Sequence, residues 1–327
     1  MANEQATVMD RNMAIEAVRV TEAAAIAAWN WTGRGDEMSA DAAAVEAMRT
    51  ALNKLNIDGT VVIGEGERDE APMLFIGEKV GAGGPKIDIA LDPLEGTTLT
   101  AKANANAMAT LALAPHGGFL NAPDVYMEKI AVGGGLPENL IDINAVPSEN
   151  LDNLAKAKGV KVSDLLICVL DRPRHVELIS AIRKTGARIQ QISDGDIYGI
   201  IETSQPDSRV DMYLGSGGAP EGVLAAAALQ CIGGQMQGKL IFRNDDEKNR
   251  ASKMGIENFD RVYDINDLAS GDVIFSATGV TDGGLLQGVH QSPGSAVTQS
   301  IVMRSMTGTV REITTRHDFN RKLDAND

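Results

Sequence analysis

Aromatic residues are scarce, 4% of the chain, so the core has to be built from Ala, Val, Ile, Leu and Met. Cysteine is nearly absent. Cys168 and Cys231 lie in apolar stretches, Leu166-Ile167-Cys168-Val169-Leu170 and Leu229-Gln230-Cys231-Ile232. No CxxC pair occurs, which leaves buried free thiols and no disulfide framework. The four histidines, His116, His175, His290 and His317, are scattered and form no cluster in sequence. Positive charge is in deficit: 30 Lys and Arg stand against 45 Asp and Glu, a net charge of −15. Such a surface field excludes nucleic acid and an anionic membrane as partners. No apolar run is long enough to span a bilayer. Met1 to Asn12 has no apolar signal core, so the expected location is the cytoplasm.

The length of 327 residues suggests two domains. Residues 11–32 read as a helix, with Ile15, Val18, Ala25, Ile26 and Trp29 near helical spacing and Gly33 and Gly35 at its end. Residues 41–56 repeat the pattern. Val61-Val62-Ile63 then reads as a strand emptying into Gly64-Glu65-Gly66-Glu67, and a helix is predicted to start near Pro72. Ile87, Ile89 and Leu91 alternate with Asp88 and Ala90, a strand that Pro93 should stop. Residues 106–114 read as another strand, and Gly133 to Pro137 as a loop.

After about residue 158 the grammar changes. The run 166–170 reads as a buried strand, followed by a helix from Pro173, a strand near 187–192 and a helix near 197–203. Val210 to Leu214 and Val273 to Ala277 read as strands. Gly217-Gly218-Ala219-Pro220-Glu221-Gly222 leads into an Ala-rich helix, 223–231. The tail after His317 reads as a solvated end. The alternation predicts a layered α/β fold, with domains at 1–158 and 159–327.

Four acidic clusters fall at predicted strand ends or helix starts: Asp36 with Asp41, Glu65 with Glu67, Asp92 with Glu95, and Glu221. A lone carboxylate at a helix start is usually a cap, and Asp41 stands where one belongs. The turn Asp92-Pro93-Leu94-Glu95-Gly96-Thr97 is different. It crowds two carboxylates and a hydroxyl into one bend, and carboxylates that close repel unless a cation sits between them. Oxygen-only ligands favour Mg²⁺ or Mn²⁺, and two such cations suit phosphoester hydrolysis. The bland alternative is an Asx-type turn capped by Thr97.

The second half offers pieces for an anion. Arg172-Pro173-Arg174-His175 puts two guanidinium groups at a helix start. Gly217-Gly218 leaves backbone N–H groups free before Glu221. Asp194-Gly195-Asp196 reads either as sugar-hydroxyl ligands or as an ordinary turn. Tyr126 reads as a core residue.

Together with Gly64 to Leu74 and Ala122 to Met127, these motifs occur in the order and spacing of class II (GlpX-type) fructose-1,6-bisphosphatases. The chain resembles that family, within the lithium-sensitive phosphatase superfamily, from about Met13 to His317. The resemblance implies a five-layer α-β-α-β-α sandwich, Mn²⁺ or Mg²⁺ as two divalent cations per site, and release of the 1-phosphate of fructose 1,6-bisphosphate. Asp41 and Glu65 match ligands of one metal; Asp92, Glu95 and Glu221 match ligands of the other. Thr97 matches the water-activating residue. Substrate positions match Glu95, Gly96, Thr97, Tyr126, Arg172, Pro173, Arg174, Asp194, Gly195, Asp196 and Gly218. The resemblance thus reverses the plain readings of Asp41 and Tyr126. It also makes residues 1–158 a metal-binding phosphatase domain and 159–327 a substrate-binding domain, in a homo-oligomer (dimer or tetramer).

Three departures stand out. Arg172 replaces the Lys of many members. Ile197-Tyr198-Gly199 follows the Asp-Gly-Asp where small residues are usual, placing a bulky Tyr198 at the expected pocket wall. Phe242 to Met254 is shorter than in typical members. Arg172 and its neighbours also resemble dual fructose/sedoheptulose bisphosphatases. A non-catalytic sugar-phosphate sensor would have lost a metal carboxylate or the hydroxyl, and none is lost.

Overall fold

The structure, a computed structural model, describes residues 9–66 and 72–321. In chain order its elements are α1 (Met13–Trp29), α2 (Glu37–Leu52), β1 (Asp58–Ile63), β2 (Lys79–Val80), β3 (Lys86–Glu95), α3 (Thr97–Ala101), β4 (Met108–Pro115), β5 (Tyr126–Gly133), α4 (Pro147–Lys158), β6 (Leu166–Leu170), α5 (Val176–Lys184), β7 (Arg188–Ile192), α6 (Asp196–Glu202), β8 (Met212–Gly218), α7 (Ala219–Ile232), β9 (Gly234–Ile241), α8 (Asp245–Lys253), β10 (Val262–Asp264), α9 (Ile265–Leu268), β11 (Ile274–Gly279), β12 (His290–Ser292), β13 (Ser295–Arg304) and β14 (Thr309–Asp318). No described helix is long and apolar enough to cross a membrane.

The chain separates into two compact units. One holds the described residues up to Gly118 and those from Gly271 onward; the other is Phe119–Ser270. The expected division at 158/159 is not the one the fold makes. β5 is an inner strand of the second sheet, and β11 to β14 return to the first.

In the first unit the sheet order is β12-β13-β11-β4-β3-β1-β2, with β14 paired to β13. β1 runs parallel to β3; β4, β11 and β13 continue antiparallel. Ile87, Ile89 and Leu91 share one face with Leu111 and Leu113, as the register requires, and there they join Val18, Ala25, Met48 and Leu52 of α1 and α2 in one core. Part of this contact is polar. Thr21 Oγ1 meets Ser276 Oγ at 3.1 Å and accepts from Thr278 Oγ1 at 2.7 Å, and Thr278 meets Ser300 Oγ at 2.7 Å. Buried hydroxyls left unpaired cost about 1–3 kcal/mol each, so the closed chain is what makes them tolerable under α1.

In the second unit the order is β10-β9-β5-β8-β6-β7. Only β6 pairs in parallel, with β7 and β8; β5, β9 and β10 pair antiparallel. Ile130, Val132, Ile167, Val169 and Met212 face α4 and α5. The opposite face carries Met127 and Lys129 toward α7. Gly222 and Gly238 make room there, since a Cβ on either would lie 2.6 Å from Met127 Sδ. α7 is apolar all round and accordingly buried along its length. Each unit therefore builds helices onto a mixed sheet, the layered α+β class that was expected.

Two local expectations fail. No helix forms at Pro72; residues 72–78 are bends and a turn leading into β2. The strand at 87–91 does not stop at Pro93. β5, β9 and β12 to β14 were not anticipated from the sequence: β9 is interrupted by glycine and glutamine, and β14 is mostly exposed. Glu67 lies outside the described residues, and of the tail after His317 only residues 318–321 lie within them. Both cysteines are buried. Burial first, then the negative charges of Glu202 and Asp196, pushes the Cys168 thiol up to about 12.

Candidate active site

In the first unit, parallel pairing sends the C-terminal ends of β1 and β3 to one sheet edge, with Ile63 opposite Ala90. Glu65 follows β1, its N–H donating to Leu74 O at 3.1 Å. At the end of β3 the ladder bulges instead of stopping: Asp92 pairs with Thr110, and pairing resumes at Glu95 with Met108. Pro93, lacking an N–H, falls in the skipped stretch. Leu94 N–H donates to Asp92 Oδ1 at 3.0 Å, so an Asx turn is present. Glu95 is buried. Gly96 takes φ 88° and ψ 55°, and a Cβ there would sit 2.7 Å from Leu99 Cδ1. Only glycine fits this corner. The corner delivers Thr97, half-buried, as the first residue of α3.

Asp41 is not the cap of α2. Asp36 is, accepting from Ser39 N–H at 3.0 Å and Ser39 Oγ at 2.7 Å. The helix begins at Glu37, which puts Asp41 in its second turn, half-buried, with its carboxyl pushed up by burial. The linker before α2 is tied to α3: Gly33 N–H donates to Thr100 O and Gly35 N–H to Ala101 O, both at 2.9 Å.

In the second unit, the C-terminal ends of β6, β7, β8 and β9 and the start of β5 share one edge, the edge where open α/β sheets bind ligands. Arg172 lies there, donating to Ser193 O and, at 3.2 Å, to Asp194 Oδ1. Arg174 donates through Nη2 to Ser216 O at 2.6 Å and lies over the Tyr126 ring, 4.8 Å from its centroid. Tyr126 is half-buried at the site rather than a core residue. His175 is buried and accepts from Ser216 N–H at Nε2, 2.8 Å, so its Nδ1 donates to Leu170 O at 2.8 Å. Burial first, then Arg174 and Arg172, holds His175 below its ordinary value, which keeps it neutral in this positioning role.

Asp196 is buried. Its Oδ2 accepts from Lys129 Nζ at 2.5 Å, and the Lys129 side chain is fully buried. Lys129, His175 and Ser216 were not singled out from the sequence. For Lys129 the available signal was the alternation Met127-Lys129-Ala131 opposite Ile130-Val132, which puts a lysine on an inward face. Tyr198 does not line an open wall; it is buried in α6, and its hydroxyl is pushed up to about 12 by burial, with Glu202 and Cys168 adding.

Among the described residues no three His, Cys, Asp or Glu side chains gather closely enough to hold a metal ion. One carboxylate nevertheless has an unsatisfied buried oxygen. Glu221 opens α7, and its Oε2 is buried without a hydrogen-bond partner. Burial, then the charge of Asp196, pushes this carboxyl up, with Lys129 opposing. A buried carboxyl oxygen lacking a donor fits a divalent cation, whose charge would hold the group ionised. Gly218 makes the cradle, because a Cβ there would lie 2.0 Å from Glu221 Oε2. Gly218→Ala should therefore spare the fold, since only a side-chain tip must move, yet lower phosphate release on the order of 100-fold. Thermal unfolding and a turnover assay, run together, check this.

Comparison with known proteins fixes the family. The chain matches the family model described as bacterial fructose-1,6-bisphosphatase, glpX-encoded, over residues 11–317. It belongs to that family. It is 48% identical over 329 aligned residues to the fructose-1,6-bisphosphatase 1 class 2 of Escherichia coli strain K12, covering 96% of this chain and 97% of the relative. The class 2 enzyme of Shigella flexneri shows the same identity and coverage. The match spans every GlpX-type motif described above.

Proposed function

We propose that this chain is a divalent-metal-dependent fructose-1,6-bisphosphatase of the cytoplasm, acting in gluconeogenesis. Family membership supports the substrate, and the buried, partnerless Glu221 oxygen supports the metal. By the resemblance, Asp41 and Glu65 are the ligands expected for one Mn²⁺ or Mg²⁺, and Asp92, Glu95 and Glu221 those expected for the other. When bound, such cations acidify water and offset the charge on phosphoryl oxygens. The protein's own groups do the rest. Thr97, at the corner set by Gly96, orients the attacking water. Arg172, Arg174 and Tyr126 hold the phosphate that is not cleaved, while Gly218 and the Asp194-Gly195-Asp196 turn bound the sugar. Water oxygen bonds to phosphorus, the bond from phosphorus to the sugar C1 oxygen breaks, and a proton passes to that oxygen. The products are fructose 6-phosphate and phosphate.

These cations and arginines would also give a chain of net charge −15 a locally attractive pocket. Phosphate release from fructose 1,6-bisphosphate with Mn²⁺ or Mg²⁺ should fall to background in EDTA and return on adding metal. Activity undiminished in chelator would sink the metal mechanism.

A further inference from the structure

Tyr126 opens β5, paired on one side with Gly218 of β8 and on the other with Ile241 of β9. Whatever extends past the ends of β8 and β9 is thereby brought beside its ring. Past β9, two residues on, comes Arg243, whose guanidinium carbon lies 5.3 Å from the Tyr126 centroid. Arg174 lies over the same ring at 4.8 Å. Both distances are within cation–π range.

Each guanidinium is held from behind. Arg174 gives Nε and Nη2 to Ser216. Arg243 gives Nε to Glu247 Oε1 at 2.7 Å and Nη2 to the same oxygen at 2.5 Å. Glu247 is 2% exposed and also accepts from Arg243 N–H at 2.7 Å. Asn244 caps α8 through Glu247 N–H at 2.9 Å, which fixes Glu247 in turn. These bonds use Nε and Nη2 of both arginines and leave Nη1 of each to meet a ligand. Two cations pinned on one ring repel each other, and a phosphate dianion is the ligand that turns the repulsion into attraction. An arginine 59% exposed that served only to neutralise Glu247 would have no need of the ring.

We propose that Arg243 is a phosphate-binding residue, closing the uncleaved-phosphate site from the side opposite Arg174, and that Glu247 is its positioning residue. This rests on the bisphosphatase reading above. The probe is fructose 6-phosphate, titrated by calorimetry into metal-free protein, alongside kinetics on fructose 1,6-bisphosphate. Arg243→Ala should weaken fructose 6-phosphate binding and raise KM, each on the order of ten- to a hundredfold, with kcat within about twofold. Arg243→Lys keeps a charge for Glu247 but loses the fork, so it should recover only part of the binding. Glu247→Gln should raise KM by a smaller factor at unchanged kcat; no effect there would remove Glu247 from the proposal.

Because Arg243→Ala strands a buried carboxylate, the pair Arg243→Met with Glu247→Gln serves as the fold-safe variant, checked by thermal unfolding. Unchanged fructose 6-phosphate binding in that folded double variant would overturn the assignment. A loss of kcat at constant KM would overturn it as well. If the wild-type protein released no phosphate from fructose 1,6-bisphosphate, the bisphosphatase reading itself would fail. If it did so and Arg243→Ala kept its KM, only Arg243 would be misassigned.

Discussion

Thr97→Ala should lower kcat by about 10²–10⁴-fold, the range carried by a positioned proton-transfer group, while KM stays within a few-fold. The expectation comes from how the residue is placed. Gly96 adopts a left-handed conformation that no side chain would share with Leu99, and the chain emerges from it directly into α3. Thr97 is thus held at the end of the turn that begins at Asp92, with Glu95 buried two residues before it. Removing one hydroxyl and one methyl from a half-buried position at the start of a five-residue helix changes little packing, so the effect falls on the step that uses the hydroxyl. Steady-state kinetics together with fructose 6-phosphate binding separate the two. Thr97→Ser should restore most of the rate. A Thr97→Ala protein with near-normal kcat would remove this residue from water activation.

Lys129→Met should be the most destabilising single change in the second unit. The Lys129 side chain is 0% exposed and bonded to the buried Asp196. Taking away the ammonium leaves Asp196 as an uncompensated charge close to a second buried carboxyl, Glu221. Breaking a buried pair in this way costs about 3–5 kcal/mol. For a unit of this size the corresponding fall in Tm is on the order of 10 °C. Pairing the change with Asp196→Leu should recover much of the loss, because a buried ion pair replaced by apolar groups is often neutral. Urea unfolding of the metal-free protein measures both variants. If the double variant is no more stable than the single one, the cost lies in packing around Met127 and Gly222 and not in stranded charge.

Much of the candidate site was legible because strand ends write local patterns. The Asp92 to Thr97 turn showed itself through proline, two acids, glycine and a hydroxyl in six residues. Arg172-Pro173-Arg174 and Gly217-Gly218 were visible in the same way, as motifs following apolar runs. What was misread was misread for want of long-range partners. Asp41 looked like a cap because Asp36 was equally placed, and only the bonds from Ser39 decide between them. Pro93 looked like a ladder stop, but a bulge accommodates it and pairing resumes at Met108. Tyr198 looked like pocket wall, yet α6 turns it inward.

The amino-acid sequence by itself determined that the turn at Asp92 would crowd acids around a glycine corner, that two arginines would follow a buried strand, and that the fold would layer helices on sheets. These depend on neighbours within a few residues and on hydrophobic period. The tertiary structure alone decided where the units divide, that Lys129 lies buried against Asp196, and that Arg243 reaches the Tyr126 ring. Each of those depends on register between strands far apart in the chain, and register is set by packing of whole faces, which no local pattern encodes.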